Sequence, residues 1–373
     1  GAPRPKRLKP FWHKLLLHPW DHFLATSFPA AAMAKPAIQV LDRQTYTRRL
    51  VAARKQRNPE PLMYAMYSSI VDGIVTDPDQ MSVPIDDHAF CRGHAVFDTC
   101  SLSNGVVYRL DTHLTRLFKS ARAARIPLPF EGDEQQNRER MAEAICATCV
   151  ASGRRTANVR YWLSVGYGNL GFTPKGCTTT FYCLVFGPAG MMPHPGAEVT
   201  VRSVPMKPPL LAELKSNNYM LNCLTGMAAQ EAGGFFGILV KPDGNIAEGC
   251  IVNTMFVTRD CVLRTPSFEG ILAGTTARRA MELAEQVLVR KTGLLKAVRQ
   301  GDVPYEEAKA CVEVMMVGAD TQVYPVRLWD GQKVGDGEVG PVARELQRLL
   351  LEDQESGAEE HIRLSYPAPA SRL

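Results

Sequence analysis

Lys215, in the run LAELKSNNYMLN, and Glu248, 33 positions on in the run GNIAEGCIVNTMFV, are residue types that together ask for one chemistry. An aldehyde cofactor needs an amine to hold it as a Schiff base, and its pyridine nitrogen needs an acid to keep it protonated as an electron sink. Lysine and glutamate fit those two jobs, and the pairing points to pyridoxal phosphate. A lysine and a glutamate at one spacing also occur by chance, and most lysines are solvated surface residues. The surrounding runs must decide.

Two further elements would have to position such a cofactor. In GILAGTTARRAMELAEQ, residues 270 to 286, a Gly-Thr-Thr turn leads into an amphipathic helix with Ala280, Leu283, Ala284 and Val287 spaced to one face. The free amides of Thr275 and Thr276 at that helix start form an anion site, or one of the two threonines is an ordinary N-cap. In DTHLTRLFKSARAARI, residues 111 to 126, Arg116 sits on a helix made apolar by Leu114, Leu117 and Phe118. It is either a snorkelling surface charge or a phosphate clamp.

The order of these motifs resembles the fold-type IV pyridoxal-phosphate enzymes of the class IV aminotransferase family. That family comprises D-amino-acid aminotransferases, branched-chain aminotransferases and aminodeoxychorismate lyases. The similarity covers about residues 62 to 355. It is strongest toward the plant and algal D-amino-acid aminotransferase-like branch, through MYSSIVDGIV, PIDDHAFCRGHAVFDT, VRYWLSVGYG, the Lys215 segment with Asn218 and Tyr219, and IAEGCIVNTMFV.

The resemblance implies that Lys215 is the Schiff-base lysine and proton shuttle, that Glu248 salt-bridges the pyridine nitrogen, and that Arg116 with the Thr275 and Thr276 amides holds the phosphate. It places Tyr219 near the cofactor's phenolic oxygen and Leu272 against the ring, and gives Asn253 a structural part beside the glutamate. Arg160, in VRYWLSVG, aligns with an arginine that meets a substrate side-chain carboxylate in branched-chain enzymes. By alternation alone, it could equally point to solvent. Gly318 and Ala319, in VMMVGADTQVYPV, fall on the turn lining the carboxylate and phosphate side, and Asp320 is expected to face away because it would repel a carboxylate. The chain departs from the bacterial D-amino-acid enzymes at Val165, where those carry a carboxylate-gripping arginine before the glycine, here Gly166. Carboxylate recognition must therefore differ.

The activity implied is ping-pong transamination between a D-amino acid and a 2-oxo acid. An amino acid displaces Lys215, Lys215 moves the Cα proton to C4′, a 2-oxo acid leaves, and a second 2-oxo acid runs the sequence backwards. The alternative is aminodeoxychorismate lyase chemistry, giving 4-aminobenzoate and pyruvate for folate synthesis. Branched-chain L-amino-acid transamination ranks third, and a catalytically silent cofactor-binding protein is disfavoured because all four elements are present.

Composition bounds the rest. A chain of 373 residues with 45% apolar content has enough material for two domains and a substantial core. No run approaches the roughly 18 consecutive apolar residues of a membrane helix, so no membrane partner is expected. The net charge of +5 is concentrated at the front: residues 1 to 60 hold twelve Lys or Arg against Asp21, Asp42 and Glu60. That basic, acid-poor segment, opening on glycine, is read as the inner end of an organelle transit peptide with residues missing upstream, or as a plain basic extension; a nucleic-acid arm is disfavoured. Chloroplast is the expected location, with mitochondrion or cytoplasm as alternatives.

Ten cysteines without a secretory leader argue for free thiols in a reducing compartment. Cys146 and Cys149, three apart, are expected on one buried helix face. The run PIDDHAFCRGHAVFD lacks known metal-ligand spacing, so no metal is expected there, only structure or substrate contact. The elements read as α+β. Residues 1–61 are the basic extension, 62–186 a first domain, 187–355 a second and 356–373 a tail. Helices are expected at 113 to 126, 137 to 151 and 276 to 290. The resemblance implies a small N-terminal α/β domain, a larger C-terminal pseudobarrel domain that binds pyridoxal phosphate, and a homodimer.

Overall fold

Alternation of buried and outward residues along the early strands builds the first sheet. The structure, a computed structural model, describes residues 38–57, 60, 62–187, 196–318, 322–356, 358 and 360–367. Helix α1 (Arg43–Arg57) buries none of its residues. Most of the basic extension lies outside the described residues, as do Ala319 and Asp320.

Strands β1 (Met63–Ser68), β2 (Gly73–Val75), β3 (Ala95–Ser103), β4 (Val106–Val107), β5 (Ala157–Tyr167) and β6 (Thr178–Phe186) run in the order β4-β3-β5-β6-β1-β2, and Ile362–Arg363 returns to close the β4 edge. Every pairing in this sheet is antiparallel. On β5, Ala157, Val159, Tyr161 and Leu163 are buried while Arg160 and Trp162, on the opposite face, are only half-buried. Register slips between Met63 and Ala65 where β1 meets β6, and between Ser164 and Tyr167 on β5. There Gly166 adopts φ +93°, and a Cβ would lie 1.6 Å from the Thr178 carbonyl oxygen.

The loop entering β3 is tied down by Asp87. It caps the short α2 (His88–Cys91) and accepts hydroxyl hydrogen bonds from Ser164 (2.6 Å), Thr180 (2.9 Å) and Tyr182 (2.6 Å). This carboxylate of PIDDHAFCRGH is therefore spent on structure.

Helices α3 (Leu110–Ala123) and α4 (Glu134–Ala151) cover one face of the sheet, and Leu114, Leu117, Phe118, Met141 and Ile145 pack on Tyr161 and Phe181. Both helices start earlier than the periodicity suggests. The start of α4 is set by a capping box between Asp133 and Gln136. The end of α3 is set by Arg125 at φ +55°, where the Ile126 amide bonds back to the Ala121 carbonyl (2.9 Å), so Ile126 enters the core from outside the helix. Cys149 is buried and Cys146 partly so, on the α4 face packed against this core.

The second sheet contains β7 (Gly196–Glu198), β10 (Asn253–Val257), β11 (Val262–Thr265), β12 (Ala297–Gln300), β13 (Glu313–Gly318), β14 (Gln322–Trp329) and β15 (Gln332–Lys333), while β8 (Thr200–Val201) and β9 (Ile238–Leu239) pair separately. Its order is β12-β11-β10-β13-β14-β15, with β7 alongside β14. The short α8 (Tyr305–Lys309) links β12 to β13. One face is covered by α7 (Thr275–Leu283) and α9 (Pro341–Glu355) over Met255 and Met315, and Phe256, Tyr324 and Trp329 of the sheet form a second buried cluster with Phe236. The helix read at 276 to 290 is α-helical only to Leu283 and continues as one π-helical turn, Ala284–Val289. The wider turn shifts the buried position from the expected Val287 to Leu288. The architecture is the α+β arrangement expected.

Candidate active site

Lys215 lies between α5 (Pro209–Glu213) and α6 (Met220–Glu231). Along β3, strand β4 reaches only Leu102 and Ser103, which leaves the first half of that edge open. The lysine segment fills it: Phe97 N donates to Lys215 O (2.9 Å), Val96 bridges Ser216, and Asn217 N donates to Ala95 O (3.0 Å). The lysine backbone is thus fixed to a core strand. Its ammonium lies 4.8 Å from the Phe97 ring centroid and 3.4 Å from Tyr219 Oη. Tyr219 packs edge-on against Phe97 at 5.1 Å. Burial and the nearby Glu248 raise the Tyr219 phenol above its ordinary pKa, so it stays protonated.

Glu248 stands just before β10 and is half-buried. Its Oε2 accepts from Leu272 N at 3.2 Å and from the Asn253 amide at 3.4 Å. Burial pushes its carboxyl up to about 8, against the Leu272 hydrogen bond and the positive charges of Lys207 and Lys215, which pull it down. An acid whose folded pKa is raised contributes stability below its unfolded value near 4.5 and loses it as pH rises through about 8. Glu248→Gln is therefore expected to stabilise the ligand-free protein by on the order of 3 kcal/mol at pH 9 and by little at pH 5. Melting temperatures of both proteins across that range check this; a pH-independent difference would contradict it.

Leu272 begins a turn that also reaches the fourth element. Asn253 Nδ2 donates to the Leu272 carbonyl (2.9 Å), Arg116 Nη1 lies 3.5 Å from the Ala273 carbonyl, and α7 begins at Thr275. Any Cβ at Gly274 would come 1.9 Å from Asn253 Oδ1, so the close seating of the turn requires glycine. Neither threonine caps α7. The N-cap is Gly274 without a side-chain bond, and among the described residues nothing accepts from the Thr275 and Thr276 amides. Arg116 is not a snorkelling charge. Its Nε and Nη2 form a fork on Asp98 (2.8 and 2.7 Å), a fully buried carboxylate that also accepts from His113 Nδ1 (2.9 Å) and Thr99 N (2.7 Å). Burial alone would raise the Asp98 carboxyl; the charges and hydrogen bonds of Arg116 and His113 outweigh it and hold it well below the usual carboxylate range.

Residues 95–329 match the family model described as Amino-transferase class IV. The chain is 43% identical over 297 residues to the D-amino-acid transaminase, chloroplastic, of Arabidopsis thaliana, covering 79% of this chain and 77% of that one. The chain belongs to the class IV aminotransferases. The crystal structure of the Escherichia coli branched-chain amino acid aminotransferase superposes with a TM-score of 0.71 at 25% identity, over 81% of this chain and all of that one. A branched-chain amino acid aminotransferase of T.th. complexed with N-(5'-phosphopyridoxyl)-L-glutamate gives 0.70 at 23%, over 81% and 97%. The fold is fold-type IV, and the chain is a transaminase of a family of pyridoxal-phosphate enzymes.

In this class IV aminotransferase, the geometry gathers Lys215, Tyr219, Glu248, Leu272, Arg116, Thr275 and Thr276 around one turn and one strand edge. Arg160 joins them, half-buried, with Nε donating to Thr99 Oγ1 (2.9 Å) and its guanidinium 5.3 Å from the Phe97 ring centroid. It does not simply point to solvent. Val165 is buried in β5, and Gly318 ends β13. Asp98, His113 and Lys207 escaped the sequence reading. An acid inside the apolar run AVFDTC is the signal that could have found Asp98, since a strand buries such a residue only with a partner.

Proposed function

We propose that this transaminase holds pyridoxal phosphate on Lys215 and moves the amino group between a D-amino acid and a 2-oxo acid by a ping-pong sequence. The observation that carries the cofactor assignment is the turn at 272–276. It places Leu272 on Glu248, Ala273 beside Arg116, and two unclaimed helix amides next in line, so an acid for a ring nitrogen and a cradle for a dianion lie at the two ends of five residues. These residues fit the group. Bound there, pyridoxal phosphate supplies an aldehyde that accepts and returns an amino group and a ring that withdraws electrons from the substrate Cα.

The chain's own residues do the rest. Lys215 Nζ takes the Cα proton and returns it, from a backbone locked to β3 that limits its reach to one side of the site. Tyr219 Oη, kept protonated, orients that Nζ. Glu248 still holds its proton at neutral pH and offers it to the ring nitrogen. Arg116, already forked on Asp98, turns its remaining Nη1 toward the same side as the Thr275 and Thr276 amides, and together they bind the phosphate. Leu272 backs the ring. Arg160 and Gly318 border the substrate, where Arg160 is the cation available in place of the arginine that Val165 replaces.

D-amino-acid preference rests on the Arabidopsis relative, and so does a chloroplast address, to which the basic residues 1–60 add weight. A homodimer accounts for Met220, Leu224 and Met227, an exposed apolar stripe at helical spacing on α6. The test is the absorbance of the loaded protein before and after D-alanine, with L-leucine and aminodeoxychorismate as parallel samples. Conversion to the pyridoxamine form by D-alanine alone is expected. Conversion by L-leucine alone, or release of 4-aminobenzoate and pyruvate from aminodeoxychorismate without any response to D-alanine, would overturn the assignment.

A further inference from the structure

Lys207 is a second ammonium close to the site, and none of the roles above uses it. It lies in the run Pro205-Met206-Lys207-Pro208-Pro209, where a residue preceding proline is held in the extended region and the prolines supply no backbone donors. The segment is therefore stiff, with Pro208 itself extended at φ −54°, ψ 148°, and it aims the lysine rather than letting it wander. Lys207 Nζ rests 4.6 Å from the Tyr219 ring centroid, the same ring whose hydroxyl bonds Lys215. Among the described residues Lys207 has no hydrogen bond or ion-pair contact. It lines a small pocket with Glu248, Gly249 and Asn222, and that pocket shares Pro205, Met206, Lys207 and Gly270 with a wide surface groove.

We propose that Lys207 is a positioning residue of this site: held by its proline-rich run against the Tyr219 ring, it lines one pocket with Glu248 and acts on that carboxyl across it. The proposal rests on the reading that Glu248 serves the ring nitrogen of pyridoxal phosphate, and it concerns how that acid is tuned. Glu248 is faced by Lys207, by Lys215, by the Leu272 amide and by the Asn253 side chain. Lys207 lies against the Tyr219 ring and lines one pocket with Glu248, and the charge of Lys215 also acts on it. The groove on its outer side carries Arg202, Glu213, Lys241, Asp243, Glu269 and Asp302, charges of both signs in open solvent, where screening weakens them. Glu248 is the acid that lines the smaller pocket with Lys207. Desolvation depresses the Lys207 ammonium, Glu248 raises it, and Lys207 in turn lowers Glu248, so each supports the charged form of the other.

Lys207→Met keeps the length that covers Tyr219 and removes the charge, Lys207→Gln does so with a polar end, and Lys207→Arg keeps the charge. In ligand-free protein, the Glu248 titration is read as the pH dependence of the melting-temperature difference between each protein and the same protein carrying Glu248→Gln. In the parent that difference is expected to level off near pH 8, and this levelling point should rise by about one unit in the Met and Gln variants and stay in place in the Arg variant. The alkaline absorbance midpoint of the loaded protein should move the same way. An unmoved levelling point in Lys207→Met and Lys207→Gln, or a shift equally large in Lys207→Arg, would reduce Lys207 to packing against Tyr219 and overturn the proposal. Failure of the underlying reading looks different: the parent itself would take up no pyridoxal phosphate, or its absorbance midpoint would ignore Glu248→Gln, while the ligand-free comparison would still report whether Lys207 and Glu248 are coupled.

Discussion

Lys215→Ala is expected to lower transamination by about 10⁴-fold, the span that a positioned acid–base group contributes, while leaving the fold in place. The two halves of that expectation come from different atoms. The amine is the group that links and moves the proton. The backbone is what holds the segment: the Phe97 amide bonds the Lys215 carbonyl, and Asn217 and Ser216 complete the edge of β3 without the lysine side chain. Truncation therefore removes the amine and keeps the strand, and urea unfolding should shift by no more than about 1 kcal/mol. Lys215→Arg should be nearly as inactive, because a guanidinium stays protonated and cannot accept a Cα proton. The half-reaction with an amino donor, followed by absorbance, reads the effect, and partial rescue by an added small primary amine would identify the missing group as the base. Activity within tenfold of the parent in Lys215→Ala would remove this lysine from the chemistry.

The parts of the site that a reader of the sequence can find are those whose signal is local. Lys215, Glu248 and the Gly-Thr-Thr turn are each framed by residues that say what the backbone does there, and the α4 start is written out in the Asp133 to Gln136 capping box. What stays hidden depends on a partner elsewhere in the chain. Arg116 on its own reads as either a clamp or a surface charge, and only the pairing with Asp98, 18 residues upstream on β3, decides between them. His113 and Arg116, three apart on one helix face, hint at a shared acceptor without naming it. Lys207 reads as a linker residue, because the prolines around it disclose a stiff segment but not its target. The end of α3 is missed for another reason: Arg125 takes a left-handed conformation that its residue type does not advertise, unlike a glycine in the same place. The fold class is legible because period-2 and period-3.6 patterns are properties of single segments, whereas the returning strand at Ile362–Arg363 and the π-helical turn after Leu283 are set by what they pack against.

Asp98→Ala should be the most damaging substitution for stability near the site, costing about 3–5 kcal/mol, as removal of one partner from a buried ion pair does. The carboxylate is fully buried and serves three donors at once: the Arg116 fork, His113 Nδ1 and the Thr99 amide. Without it, the nearest acceptor left to the Arg116 guanidinium is the Ala273 carbonyl at 3.5 Å, and His113 loses the acceptor of its ring N–H. Asp98→Asn keeps the volume and part of the hydrogen bonding, so it should lose less. The pH dependence has a fixed sign. A carboxyl whose folded pKa is depressed contributes stability above its unfolded value near 3.8 and loses it as pH falls further, so the gap between parent and Asp98→Asn should be full at pH 7 and narrow below about pH 4. Urea unfolding at pH 7 and at acid pH measures both statements. The same substitution should weaken uptake of pyridoxal phosphate beyond what the stability loss explains, because Asp98 is what holds Arg116 with one nitrogen left over for a dianion. A variant that binds the cofactor as the parent does, at a temperature where both are folded, would show that Arg116 orientation does not depend on this pair. Phosphate binding would then rest on the Thr275 and Thr276 amides alone.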